Sequence, residues 1–565
     1  MPTLDFSVER LSKLVGKELS IDDLQTDLQW ISLDIDDFDR EEDKIKVEYS
    51  PNRPDFASPE GIARALKGYY EIETGLQEWE VKEGPVVMNV MQKVKKVRPY
   101  VVSAVIRNID LDDDEIKTTM NIQEALHHAL GRGRKKVAIG VHDLDTVKAP
   151  FKYTTVKPEE IKFRPLQMEK LELTPQEILE EHPKGIEYAH ILEGCEEYPM
   201  IFDAEDKVVS FPPIINGVIT TVTDSTKNFL LDLTGTDYDA VNYSLNILCT
   251  TFADMGAQIE SVQVIYEGEE PKVYPDFTPK KWTVETDYLN SYIGLNESTK
   301  SIINCLKKCR LDAKKGKKKG TVDVWVPAYR TDFMHKVDFA EEFAIGYGYY
   351  NVPTEIYEGG VGEYHPLVQL QNNVRRIMVG AGYLETFNFI LTSKDNYSAL
   401  NLPFNGKENV TIRNPVSKEW NTTRTLILPV IMKLLQFNRS EEKPIHIFEV
   451  GDVVMCDKKS STGGAQDLHV CTVAHHADAE FTEIRSAFDF LVETMGIDYK
   501  ITVKAGEHPS LISGRSGLIM LDDEEIGFIG EIHPEVLENF GLGYPTAVFE
   551  INLSPLLTKE ENRIE

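Results

Sequence analysis

A single hydrophobic core stops growing far short of 565 residues, so this chain has to divide into several. Ordinary domain sizes put the expectation at about three to five. Changes of texture along the sequence place four blocks, at 1–82, 83–268, 269–356 and 357–565. The first opens with Ser7 as a helix cap, Val8, Leu11, Leu14 and Val15 at helical spacing, and Gly16 as a stop. A second start follows at Ser20 with Asp23, and then Ser58 caps a helix whose first position is Pro59 and whose inner face is Ile62, Ala65 and Leu66. This block reads as a small α+β module.

The second block alternates strands with a few strong helices. Asn121 and Glu124 make a capping-box pattern ahead of Ile122, Leu126 and Leu130, with Gly131 as the end, and Thr174, Pro175 and Glu177 repeat the start signal. The stretch 218–233 reads as strands broken by polar residues 224–227, a hairpin pattern. Val241, Leu245, Leu248, Phe252 and Met255 then recur at helical spacing. The third block begins in a Pro-rich linker and holds a helix through Ile302, Leu306 and Cys309, a lysine cluster at 314–319 and a strand over 321–326. The fourth starts with a helix near 367–378 and ends in an antiparallel series over 517–551.

Charge and motifs narrow the function classes. A net charge of −32 argues against a protein that coats nucleic acid indiscriminately, so RNA contacts must come from local basic clusters at 93–98, 132–136 and 314–319. Six scattered cysteines, with no second Cys/His pair beside Cys305 and Cys309, point to reduced structural thiols. The apolar runs are far shorter than the roughly 20 residues of a membrane span, and the N-terminus has no secretory pattern, so the expectation is a cytoplasmic protein with no membrane partner. The motifs G-x-S-x-G, H-E-x-x-H and GxxxxGK[ST] are absent.

Two constellations carry chemistry. Asp338, Glu341 and Glu342 share one helix face, and Asp332 lies six residues upstream. Such carboxylates repel unless protonated or neutralised, and hard oxygen donors favour Mg²⁺ or Ca²⁺; the same pattern also suits a solvated acidic helix start. The other constellation joins residues 210–213 to 231–237, where Ser210, Asp232, Thr234 and Thr236 sit at strand ends before the long helix. Hydroxyls, a carboxylate and helix amides converging there make a small-ligand pocket, and His142 and Asp143 can face it. Taken alone, Thr-Gly-Thr-Asp reads equally as a cap and turn.

Together, NRPDFASPEGIARAL (52–66), the stretch 332–351, RNPVSKEWNTTRTLILPVIMKLLQFN (413–438), HIFEVGDVV (446–454) and EIHPEVLENFGL (531–542) resemble the β subunits of phenylalanyl-tRNA synthetases. The end of the chain after a synthetase-like domain points to the archaeal/eukaryotic type. The resemblance implies an α+β multidomain fold: a small N-terminal module, a β-rich editing domain, a winged-helix-like domain, and a C-terminal class II synthetase-like antiparallel sheet domain that is not catalytic. It implies Mg²⁺ on Asp332, Asp338, Glu341 and Glu342, and an editing pocket shaped by Ser210, Asp232 and Thr234, with Asp232 accepting the tyrosine phenol proton. Adenylate formation is expected elsewhere, since Glu550 has no following arginine, HIFEVGDVV lacks one before its glutamate, and Asn414 and Arg424 fix loops. The implied partners are an α subunit in an (αβ)₂ heterotetramer, which handles ATP and phenylalanine, and tRNA(Phe). A stand-alone aminoacyl-tRNA hydrolase and a tRNA-binding scaffold with an inactive pocket are the alternatives.

Overall fold

The computed structural model describes residues 2–41, 43–168, 171–356, 359–404, 408–497 and 501–557. Residue 357, where the fourth block was set to begin, lies outside them. The chain forms two compact units, Met1–Ile356 and Tyr357–Glu565. Among the described residues the architecture is mixed α+β, with strands in five sheets.

The first unit starts with an antiparallel sheet of Thr3–Ser7, Lys44–Tyr49 and Leu33–Asp39. Its helices begin where the caps predict. The Ser7 hydroxyl accepts from Arg10 N, Gly16 closes the helix Val8–Val15 at φ 77°, and Ser58 accepts from Gly61 N to open Pro59–Tyr69. That last helix packs close against the third block. A Cβ on Gly68 would stand 2.0 Å from the Lys308 carbonyl oxygen, Gly75 N donates to Lys307 O at 2.7 Å, and Arg310 reaches Glu73.

An eleven-stranded sheet fills the second block. Its strand Phe229–Gly235 is buried throughout and runs antiparallel between Tyr100–Arg107 and Val137–Asp143. The expected hairpin over 218–233 is therefore wrong. Residues 221–228 form a polar loop, pinned by Thr226 donating to Asp143, that feeds one strand whose partners are distant in sequence. The helix with its start expected at Asn121 begins earlier, at Asp113–His128. Asp112 accepts from Asp114 N and Glu115 N while Glu115 accepts from Asp112 N, a complete box upstream of the expected one. The long helix is Tyr238–Asp254, capped by Asp237, and the third block pairs Lys280–Glu285, Thr321–Val326 and Asp312–Lys315.

In the second unit a seven-stranded, mostly antiparallel sheet separates two cores by strand alternation. Phe448, Val450, Val470, Phe549 and Ile551 face the helices Pro366–Gly380 and Phe481–Thr494. Ile447, Val453, Cys471, Val473 and Val548 face the other way, onto the helix Leu428–Phe437.

Candidate functional site

The sheet of the second block opens into a cavity of about 340 Å³. Three kinds of element frame it: the strand Val208–Phe211 with the loop after it, the start of Val137–Asp143, and the helix residues Gln123, Glu124 and His127. Ser210 and Asp232 both line it. Asp232 sits opposite Gly140 in the register, and a Cβ at Gly140 would meet its Oδ2 at 2.2 Å and His142 Nε2 at 2.4 Å. Only glycine leaves room there for the carboxylate.

Behind that carboxylate stands a buried histidine. His142 Nε2 lies 2.5 Å from Asp232 Oδ2, and its Nδ1 lies 2.8 Å from the Thr220 hydroxyl, which donates to Gly217 O. Both ring nitrogens thus have partners, and the ring bridges Thr220 to Asp232. His142 therefore does not touch a ligand; it fixes the carboxylate and occupies one of its oxygens. Oδ1 is left for the cavity.

The four expected pocket residues divide into different jobs. The Ser210 hydroxyl donates to Asn216 Oδ1 at 3.2 Å at the cavity wall. Thr234 does not line the cavity. It is fully buried two residues along the strand, accepts from Arg98 Nε at 2.9 Å, and offers its carbonyl to the same guanidinium at 2.7 Å. Arg98 also donates to Arg134 O and Lys135 O, and burial pulls its basicity down to about 10. Thr234 thus ties the strand to the loop that carries Arg134.

Sequence reading missed Arg134, His127 and Gly140 as site residues. Arg134 lines the cavity, donates to Ile214 O at 3.0 Å and to Glu124 at 3.2 Å, lies over the Tyr188 ring, and has a buried Nε with no partner. Its only signal was the basic run at 132–136. His127 accepts from Ile139 N, and its hydrogen bond to Glu124, helped by the charge of Arg134, holds that carboxyl at about 2.

The acidic set of the third block is organised round an arginine. Buried Arg330 binds both oxygens of Asp332, at 2.8 and 2.6 Å, and Glu342 at 2.5 Å. Burial alone would raise the Asp332 carboxyl, and Arg330 outweighs it to hold it low. Asp338 accepts from Met334 N and His335 N at 2.7 Å, tying the preceding loop to the first residue of the helix Asp338–Tyr347. Among the described residues Glu341 has no ion pair, and burial followed by the charges of Glu342, Asp332 and Asp338 pushes its carboxyl up. The donor chemistry suits a hard divalent cation at Glu341. The geometry does not gather a metal cage, because among the described residues these oxygens form no group of three within ligating reach of one another.

In the second unit Arg424 and Glu449 form a buried pair at 2.5 Å, and Arg424 also donates to Asp452 O. Glu550 accepts from Ile427 N, Leu428 N and His469. These groups are used internally. Nearby, Phe387, Phe389, Trp420 and Phe437 border an open cavity of about 450 Å³, with Phe387, Phe389 and Phe437 more than two thirds exposed. Among the described residues no helix is long and apolar enough to cross a membrane.

Three family descriptions match the chain: "B3/4 domain" over residues 85–249, "tRNA synthetase B5 domain" over 282–349, and "Phenylalanyl tRNA synthetase beta chain CLM domain" over 355–553. The phenylalanine–tRNA ligase beta subunit of Methanococcoides burtonii is 39% identical over 98% of this chain and 100% of its own length. That of Methanosarcina acetivorans is 40% identical over 99% and 100%. Among solved structures, an N-terminal fragment of the phenylalanyl-tRNA synthetase beta-subunit from Pyrococcus horikoshii aligns at TM-score 0.59 and 37% identity, covering 62% of this chain and all of the fragment.

Proposed function

The chain belongs to the family of phenylalanine–tRNA ligase β subunits, and from that premise we propose that it removes tyrosine wrongly attached to tRNA(Phe) while a partner α subunit uses ATP to attach phenylalanine. The need is physical. A pocket shaped for phenylalanine rejects an analogue with one added hydroxyl only about 10²-fold, whereas a pocket built to bind that hydroxyl rejects the analogue lacking it by about 10⁴ or more. A second pocket of the latter kind sorts the products.

The observation that carries this reading is Asp232, a carboxylate facing a cavity of amino-acid size with one oxygen held by His142 and room made by Gly140. Its free oxygen accepts the phenol proton of tyrosine. A phenylalanine ester would leave that buried carboxylate facing a ring with no donor, which disfavours binding. Ser210 orients the substrate from the wall, and Thr234 acts through Arg98. Water attacks the ester, oriented by the ribose hydroxyl of the tRNA end.

The exposed aromatic surface of the second unit supports an α partner, because contiguous apolar patches of this kind mark interfaces. It favours a subunit over a stand-alone hydrolase, and the assembly we propose is an (αβ)₂ heterotetramer in the cytoplasm. The internal use of Arg424, Glu449 and Glu550 supports adenylate formation on the partner. Mg²⁺ belongs to the proposal at the cluster of Asp332, Asp338, Glu341 and Glu342, with Asp338 and Glu341 free of Arg330; no hydrolytic step runs through it. The test is deacylation of tyrosyl-tRNA(Phe) by the assembled ligase. Asp232→Ala should slow it at least about 10²-fold with phenylalanylation unchanged; an Asp232→Ala enzyme as fast as the parent would place the pocket elsewhere.

A further inference from the structure

In the second unit two histidines and a glutamate from three elements meet. His446 lies near the start of the strand Ile445–Cys456, His476 directly follows Gly464–His475, and Glu483 is in the first turn of the helix Phe481–Thr494. The register pairs His446 with Ala474, so His476 is its diagonal neighbour on the same face. All three are partly buried, and one ligand atom from each lies within 4.8 Å of the others. His446 Nε2 is 2.8 Å from Glu483 Oε1, and His476 Nε2 is 2.8 Å from Oε2 and 3.1 Å from Oε1.

We propose that His446, His476 and Glu483 form a transition-metal site, best matched to Zn²⁺, that clamps the ends of two neighbouring strands to the helix covering the sheet.

The donor set is the first argument. Two imidazoles and one carboxylate suit zinc and its neighbours, and they disfavour Mg²⁺ or Ca²⁺, which take oxygen ligands. Distance is the second. Zn–N and Zn–O bonds of about 2.0–2.2 Å put tetrahedral ligands roughly 3.3 Å apart, so the two histidine–glutamate contacts need to open by only about half an ångström, and the two histidine nitrogens already lie within 4.8 Å of each other. The rings already present Nε2 to one point, at 5.4 Å between centroids and nearly perpendicular. A bound water completes four-coordination.

Protons balance simply. Ligation needs each Nε2 free of a proton, so a ring that donates from Nε2 to Glu483 passes that proton through solvent to Nδ1. At His476 this displaces the amide of Asp478, a long contact of 3.3 Å from an exposed residue that turns to water instead. The metal replaces the contacts of the two rings to Glu483 with three coordinate bonds from the protein.

The experiment strips the full-length chain with a chelator and titrates it with Zn²⁺ against a chromophoric competitor. One equivalent is expected to bind, and the thermal midpoint of the second unit should rise with free Zn²⁺ as binding linkage requires. His446→Gln with His476→Gln, and separately Glu483→Gln, should each lose that equivalent, whereas Cys456→Ser, which removes an exposed thiol, should keep it. Co²⁺ bound to the parent chain should give the intense visible bands of a four-coordinate ion, a readout independent of any variant. Equal zinc uptake by parent and histidine variants, no uptake by the parent, or only the faint bands of six-coordinate Co²⁺ would overturn the site.

Discussion

Ser210 and Thr234 carry the same hydroxyl on two strands of one sheet that are not neighbours, yet they answer to different partners, and substitution should separate them. Thr234→Val leaves Arg98 Nε buried without its acceptor, a loss of about 1–3 kcal/mol in denaturant unfolding that Thr234→Ser recovers. Ser210→Ala faces the cavity and should leave that midpoint within about 0.5 kcal/mol while altering deacylation. Should Thr234→Val prove silent in unfolding, Arg98 is not its partner in solution. Gly140→Ala forces a methyl against Asp232 and His142, so deacylation should fall as far as it does in Asp232→Ala while the strand still pairs. Arg330→Met strips the cation from Asp332 and Glu342, and breaking such a buried cluster costs about 3–5 kcal/mol. Millimolar Mg²⁺ should restore part of that loss in a thermal melt; no response to Mg²⁺ would count against cation binding by these carboxylates.

At the scale of elements, caps are local and therefore readable. Ser7, Ser20, Ser58 and Thr174 each accept the backbone amide that their sequence pattern assigns. Ser58→Ala should cost about 1 kcal/mol, checked by the unfolding midpoint, because its hydroxyl is buried and Gly61 N has no water to turn to. The strand Thr321–Val326 and the helix Tyr238–Asp254 were legible for a related reason: apolar residues recur with the period of the element, Val322, Val324 and Val326 in one and Val241, Leu245, Leu248 and Phe252 in the other. What failed depended on distant pairing. Nothing within 218–233 tells that Phe229–Gly235 has its partners at 100–107 and 137–143, and those partners are what bring Gly140 and His142 to Asp232. Asp232 and Ser210 were therefore visible as candidates, while the hydrogen bond with His142 and the room given by Gly140 were not. Two capping boxes competed for the helix Asp113–His128, and the sequence offers no way to see that the upstream one wins.

For the whole molecule, acid sensitivity sits in buried histidines, two of them in the second unit. Burial holds His475 and His508 at about 4, well below the 6.5 of a free imidazole. A depressed histidine contributes stability that is complete above its unfolded value and is lost as pH falls through its folded one. The unfolding midpoint of the second unit should thus drop between about pH 6.5 and 4, and His508→Gln should flatten part of that slope; an unchanged slope would mean that His508 is free to protonate. The first unit has a consequence of another kind. Strand Val81–Lys82 enters the central sheet alongside Ile259–Glu260, and the chain leaves by Lys272–Tyr274, which doubles back until Tyr274 stands against Val262. Entrance and exit flank Gln258–Tyr266 on opposite sides, on the order of 10–15 Å apart, while the flanking parts grip each other directly through Gly68, Gly75 and Arg310. Residues 82–273 are a cassette with a single doorway. Replacing them with a short Gly-Ser bridge, together with Arg64→Met because its partner Asp254 departs, should give a ligase that still charges tRNA with phenylalanine and no longer corrects tyrosine, read by the two assays side by side.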